Sequence, residues 1–186
     1  FFKLTTETAM LRSLVGSEMC IRDSLIKIMN LQFKGPYQFF QACIPAMTEG
    51  GSIIQISSAT ATIMLDNHAA YMGTKAGIDH VIRTVANEFG ERGIRANSIS
   101  PGLTASPMTK DAMAAPGLEE AFLREYPLGR IGTSEDIAAM AVFLCSDECF
   151  LSGQNLQVNG GLTLRRNPRS ADIDASVAQA MAKLEN

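Results

Sequence analysis

Gly51-Ser-Ile-Ile-Gln-Ile-Ser57, the long stretch from His68 to Arg92, and then Ile94-Arg-Ala-Asn-Ser-Ile-Ser100 form the passage that decides the fold. The first run is short, β-branched and set off by Gly50-Gly51, as expected of a buried strand. The second repeats its apolar residues at helical spacing and stops at Gly93. The third is a second strand, ended by Pro101-Gly102. Strand, helix and strand in this order predict two parallel strands joined by a covering helix.

The pattern extends outward from this unit. Leu25 to Met47 is apolar at helical spacing, with Leu31, Phe39, Ala42 and Cys43 among the repeating positions and Pro45 near the end. Thr104 to Tyr126 mixes Pro, Met, Ala and charged residues and reads as a loop with short helices. Ser134, followed by Glu135 and Asp136, is expected to cap a helix running to about Ser146. Gln154 to Val158 is a third strand closed by Gly160-Gly161, and Ser170 to Lys183 a terminal amphipathic helix. The alternation is that of an α/β fold with a parallel sheet flanked by helices. There is no internal repeat.

Composition narrows the function classes. Of 186 residues, 46% are hydrophobic and 19% charged, ordinary values for a globular domain. The net charge of −3, with no dense basic block, argues against a nucleic-acid partner. Arg165, Arg166 and Arg169 read as a solvated tail. The longest apolar run, Ile137 to Cys145, is too short to span a bilayer, so no membrane partner is expected. Cys20, Cys43, Cys145 and Cys149 form no C-x-x-C pair, and His68 and His80 lie far from them, so no metal site is expected. Unpaired thiols suit a reducing cytoplasm.

The chemistry gathers around Tyr71 and Lys75. Four apart on the predicted helix, they share one face. An ammonium beside a phenol stabilises the phenolate and is expected to lower the Tyr71 pKa, which suits proton transfer. Such a pair alone is unspecific; its surroundings make it specific. Ser58 follows the first strand, at the carboxyl edge where parallel sheets bind ligands, thirteen residues before Tyr71. Its hydroxyl can hold a substrate oxygen that gains negative charge. Asn30 lies on the preceding helix.

Asn30, Ser58, Tyr71 and Lys75 resemble, in type, order and spacing, the catalytic tetrad of the short-chain dehydrogenases/reductases. Local motifs agree: Ile56-Ser-Ser58, Ala70-Tyr-Met-Gly-Thr-Lys-Ala-Gly77, Gly93-Ile-Arg-Ala-Asn-Ser-Ile-Ser-Pro-Gly102, Tyr126-Pro-Leu-Gly-Arg-Ile-Gly132 and Val158-Asn-Gly-Gly161. The resemblance covers Leu25 to about Thr163. It implies a Rossmann-like doubly wound sheet and interconversion of a carbonyl and a secondary alcohol with NAD or NADP. Tyr71 would be the acid/base. Lys75 would tune it and hold the nicotinamide ribose. Ser58 would hold the substrate oxygen, and Asn30 a relay water. Pro101, Gly102, Thr104 and Ser106 match the segment along the nicotinamide. The family's helices corresponding to Leu25–Met47 and His68–Arg92 usually build a dimer interface, which implies a homo-oligomer. Leu103–Tyr126 matches a substrate lid, where Met108, Met113, Leu118 and Phe122 either offer an apolar surface or pack against the body.

Departures from the family pattern are mostly small. Ser106 stands for a frequent Thr, Asn159 for the usual Asp, and Ser134 for a frequent Pro. The large one is the lack of a T-G-x-x-x-G-x-G strand-to-helix turn, whose backbone N–H groups would hold the cofactor pyrophosphate. The expected fold is therefore a partial Rossmann-like sheet without its first βαβ half. Phe1 to Ser24 falls outside the resemblance. Met10 to Ser24 looks like translated sequencing-adapter DNA, and the segment is expected to be an artefact or disordered. Residues 25–163 form the catalytic portion and 164–186 a tail with a short helix. The 186-residue chain alone is expected to show no NAD(P)H turnover. The alternative is a silent fragment acting only in assembly or regulation.

Overall fold

The computed structural model describes residues 22–107 and 109–184. Met108 and residues 1–21, Cys20 among them, lie outside the described residues, and with them most of the segment set apart at the N-terminus. Helix α1 (Arg22–Met29) runs into a π-helical turn (Asn30–Lys34), then α2 (Gly35–Cys43) and a 3-10 turn at Ile44–Ala46 where Pro45 interrupts the α pattern. Strand β1 (Gly51–Ile56), helix α3 (Ala69–Phe89) and strand β2 (Ile94–Pro101) form the expected parallel unit. Gly93, at φ 73°, makes the turn into β2.

The lid region holds a short strand β3 (Thr104–Ala105) and helices α4 (Lys110–Met113) and α5 (Leu118–Leu123). Strand β4 (Gly132–Thr133) pairs parallel with β3. Then come α6 (Ser134–Cys145), β5 (Asn155–Val158) and α7 (Ser170–Leu184).

The main sheet has the order β1-β2-β5, all parallel, with Ile56 opposite Ile99 and Ser98 opposite Asn155. Its two faces are covered separately. Ile53, Ile94 and Ala96 pack beneath Ile78, Ile82 and Val85 of α3, with Phe40 and Ile44 behind. On the other face Ile54, Ile99 and Leu156 meet Ile137 and Leu144 of α6. Alternate residues of each strand thus enter opposite cores, as the two-residue strand period requires. This is the α/β arrangement expected, a partial open parallel sheet flanked by helices.

Two local expectations need correction. The cap of α6 is Thr133, one residue before Ser134. Thr133 is extended (φ −118°, ψ 167°), and its Oγ1 accepts from the Asp136 N–H while its own N–H donates to Asp136 Oδ2 at 2.8 Å. That reciprocal pair satisfies two end groups at once, which Ser134, already inside the helix, cannot do. The basic cluster is solvated as expected, since Arg165, Arg166 and Arg169 are exposed, but it is not a free tail. Arg165 donates to the Arg124 carbonyl at 2.8 Å, Arg166 pairs with Asp172 at 2.9 Å, and Arg169 pairs with Asp66 at 2.9 Å. Asn167 and Pro168 are buried, and Asn167 donates to the Met64 carbonyl. These partners on the loop after Ser58 and behind the lid turn the segment into a strap.

Candidate active site

Parallel strands end together, and the ends of β1 and β2 carry the predicted site residues. Ser58 follows β1 in extended backbone (φ −161°) and caps a 3-10 turn, Ala59–Ala61. Its Oγ accepts from the Thr60 N–H at 3.2 Å and from Thr60 Oγ1 at 2.9 Å. A hydroxyl has two acceptor sites and one donor, so Thr60 occupies the acceptors and leaves the Ser58 O–H to donate. It lies close enough to the Tyr71 hydroxyl to favour the phenolate.

Tyr71 and Lys75 share a face of α3, with the Lys75 ammonium 5.6 Å from the centre of the Tyr71 ring. Lys75 is buried, at 6% exposure, and donates to the Ile56 carbonyl at 2.8 Å, which ties the helix to the last residue of β1. Burial pushes the Tyr71 pKa above its ordinary value, with Ser58 opposing, and burial lowers that of Lys75, with Asp79 opposing. The expected depression of the Tyr71 pKa by Lys75 is therefore not realised in this arrangement. The ammonium is turned to Ile56, and the loss of water around the phenol dominates.

Asn30 is the first residue of the π-helical turn, whose wider loop closes from the Gly35 N–H to the Asn30 carbonyl. That turn packs on α3, where Phe33 meets Gly77. Asn30 itself is exposed on a surface groove with Ile26, Lys27 and Leu31, and makes no side-chain hydrogen bond to Ser58, Tyr71 or Lys75. The structure brings three of the four residues together and leaves Asn30 exposed without a bond to them.

Pro101 ends β2, the neighbour of β1 in the sheet, and Gly102 follows it. A Cβ on Gly102 would lie 2.2 Å from the Tyr126 hydroxyl, which donates to the Leu103 carbonyl at 3.2 Å, so only Gly fits. Thr104 Oγ1 donates to the Gly102 carbonyl, and Thr109 Oγ1 to the Thr104 carbonyl at 2.6 Å. Ser106 is held by Thr109 through both its N–H and its hydroxyl. Beyond lies a groove of about 590 Å³ lined by Ala105, Ser106, Pro107, Lys110, Met113 and Ala114. Leu118 and Phe122 instead pack against Ala59, Tyr126 and Leu162, so for these two the body-packing alternative holds.

The residues fit the nicotinamide end of a dinucleotide. A lysine carries three donors, Lys75 spends one on Ile56, and two remain in a buried setting suited to a ribose diol. Among the described residues no three His, Cys, Asp or Glu side chains gather as a metal site would require. No described helix is long and apolar enough to cross a membrane.

Sequence reasoning missed Asp79. Its side chain accepts from Ser57 Oγ at 2.7 Å and from the Asn155 amide. An acidic residue between Ile78 and Ile82 on a buried stripe, one turn after Lys75, was a readable signal. Asp66, which anchors the C-terminal strap through Arg169 and the Ser170 N–H, left none, since its partners are about a hundred residues away.

Known proteins share this fold. Residues 8–163 match the family described as enoyl-(acyl carrier protein) reductase. Trans-4-hydroxycyclohexanecarboxylate dehydrogenase of Sinomonas cyclohexanicum is 36% identical over 149 residues, 79% of this chain and 55% of that protein. The 3-oxoacyl-[acyl-carrier-protein] reductase of Staphylococcus aureus is 35% identical over 161 residues, 80% of this chain and 65% of that protein. The chain thus spans little more than half to two thirds of the length of these curated relatives. A short-chain type dehydrogenase/reductase from Mycobacterium ulcerans superposes with a TM-score of 0.79 at 32% identity, over 87% of this chain and 61% of its own. A gluconate 5-dehydrogenase from Burkholderia cenocepacia, solved with NADP and tartrate, gives 0.74 at 26% identity, over 77% of this chain and 58% of its own. On fold, motif order and matched length together, the chain belongs to the short-chain dehydrogenases/reductases.

Proposed function

We propose that residues 25–163 are the proton-transfer portion of an NAD- or NADP-dependent oxidoreductase that interconverts a carbonyl and a secondary alcohol. The observation that carries this reading is the convergence of Ser58, after β1, with Tyr71 and Lys75 on α3, the Ser58 O–H within reach of the Tyr71 hydroxyl and two Lys75 N–H groups unspent. Ser58 donates to the substrate oxygen. Tyr71, kept protonated by its surroundings, gives that oxygen a proton, so the arrangement suits carbonyl reduction. Lys75 orients the ribose, and Asn30 holds the relay water. The backbone and hydroxyls at Pro101, Gly102, Thr104 and Ser106 line the nicotinamide side. The nicotinamide, when bound, supplies or accepts the hydride. The relatives' differing names, among them a D-threitol dehydrogenase, support a small alcohol or ketone as substrate class rather than one compound. We further infer a cytoplasmic homo-oligomer whose contact lies on the α1–α2 surface, where Leu25, Met29, Leu31 and Phe39 are exposed.

The test joins the front half of the Staphylococcus reductase to Leu25 and follows NADH and NADPH oxidation with a panel of ketones. Tyr71→Phe and Lys75→Ala should each lower kcat by about 100- to 10,000-fold, while Cys145→Ser leaves it unchanged. Equal turnover in Tyr71→Phe and the unsubstituted fusion would contradict the reading.

A further inference from the structure

Behind the Tyr71–Lys75 face, α3 covers a polar stripe that the proposed reaction does not use. Ser57 follows β1, Ser98 lies on β2, and Asn155 lies opposite Ser98 on β5. By the strand period Ser57 and Ser98 share the face of Ile53 and Ala96, which is otherwise apolar core. Asp79 closes this stripe. Its Oδ2 accepts from Ser57 and from Asn155, so one carboxylate joins the two outer strands across the middle one. Ser98 Oγ lies near enough to favour the carboxylate without reaching full hydrogen-bond geometry, and Asp79 Oδ1 has no partner. A buried acceptor left unmatched on an apolar helix face is costly, and the carboxylate is held there by its bonds to Ser57 and Asn155.

The position explains its presence. Asp79 is one helical turn from Lys75, and Ser57 adjoins both Ile56, whose carbonyl receives the Lys75 ammonium, and Ser58. We propose that Asp79 is a positioning residue for this centre: one helical turn away, its carboxylate attracts the Lys75 side chain docked on Ile56, and its bond to Ser57 fixes the strand end that presents Ser58. The inference rests on reading Tyr71 and Lys75 as the proton-transfer pair. No direct ion pair joins the two charges; the attraction acts across the helical turn and opposes the loss of charge that burial imposes on Lys75. The groups facing Asp79 are Lys75 on its own helix and Ser57, Ser98 and Asn155 from β1, β2 and β5. None of the three from the sheet titrates in the acid range.

The experiment is a pH titration of the 186-residue chain labelled with 13C at the lysine ε-carbon, with the Lys75 resonance assigned by its loss in Lys75→Met. In the unsubstituted chain that resonance should bend twice: at its own basic midpoint, and again in the acid range where Asp79 takes up a proton. Asp79→Asn should abolish the acid inflection and lower the basic midpoint, and Asp79→Glu should restore both. A Lys75 resonance with no acid inflection overturns the proposal, and this needs no variant to fold. An unmoved basic midpoint in a folded Asp79→Asn chain overturns it too, even if thermal stability changes, because that is the signature of a purely structural carboxylate. No cofactor enters the measurement. A failure of Tyr71→Phe to reduce turnover would therefore sink the functional reading while leaving this result intact, and the reverse also holds.

Discussion

Tyr71 and Lys75 meet on one helix face because four residues make slightly more than one turn, and that much is written in their spacing. Their protonation is not, since it depends on how much water the fold removes from each. Tyr71 is pushed up by burial and Lys75 down, so a difference titration near 295 nm against Tyr71→Phe should show Tyr71 ionising above the ordinary tyrosine value of 10.0. Ionisation well below 10 would show that Lys75 governs it after all. Asp79 gives a second sign to check. Its folded pKa is raised, so its contribution favours the folded state below the ordinary carboxylate value near 3.8 and is lost as pH rises through the raised value. Asp79→Asn should flatten that part of the stability–pH curve, read as thermal midpoints from about pH 3 to 7. An unchanged slope would contradict the assigned shift.

At the scale of elements, short-range rules carried the strands and long helices. The Ile-bearing runs bounded by glycine became β1 and β2, the segment closed by Gly160-Gly161 became β5, and Gly93 turned where it was expected to. Longer-range contacts escaped the same reading. Nothing local distinguishes a free Arg169 from one that grips Asp66, and nothing in Thr104–Tyr126 reveals that β3 would pair with β4. The π-helical turn at Asn30 also lacked a sequence mark. The strap formed by α7 makes predictions of its own. Gly117 sits at φ 83°, and a Cβ there would lie 2.4 Å from the Ser176 carbonyl oxygen, so Gly117→Ala should cost about 1–3 kcal/mol by denaturant unfolding and loosen α7 from the lid. A change within error would mean that α7 does not bear on α5. Asp66 is held below the ordinary carboxylate range first by the Ser170 N–H and then by Arg169. Its contribution is present above that range and lost as pH falls through it, so hydrogen-exchange protection of α7 should drop on acidification and be absent in Asp66→Asn. At the other end of the lid, Thr133→Ala should cost about 1 kcal/mol through the lost cap of α6, whereas Ser134→Ala should cost little.

Among the described residues the main sheet has three parallel strands with helices on both faces and β1 at one edge, and β3 and β4 form a separate pair. Among those residues β1 has no partner on its outer side, and Leu25, Met29, Leu31 and Phe39 are exposed. Concentration-dependent self-association in light scattering is the expected result, and a single monomeric species at tens of micromolar would contradict it. The fold class was legible because it needs only the order of strand and helix, and the centre because its residues are set by one strand end and one helix face. The central claim is that Ser58, Tyr71 and Lys75 work as one proton-transfer unit, and groups that act as a unit give strongly non-additive losses. The direct measurement is kcat for ketone reduction by the fused enzyme carrying Tyr71→Phe, Lys75→Ala, and both together. The double variant should lose no more than about threefold beyond Tyr71→Phe alone. A loss equal to the product of the two single losses would show that they act independently and would contradict the account.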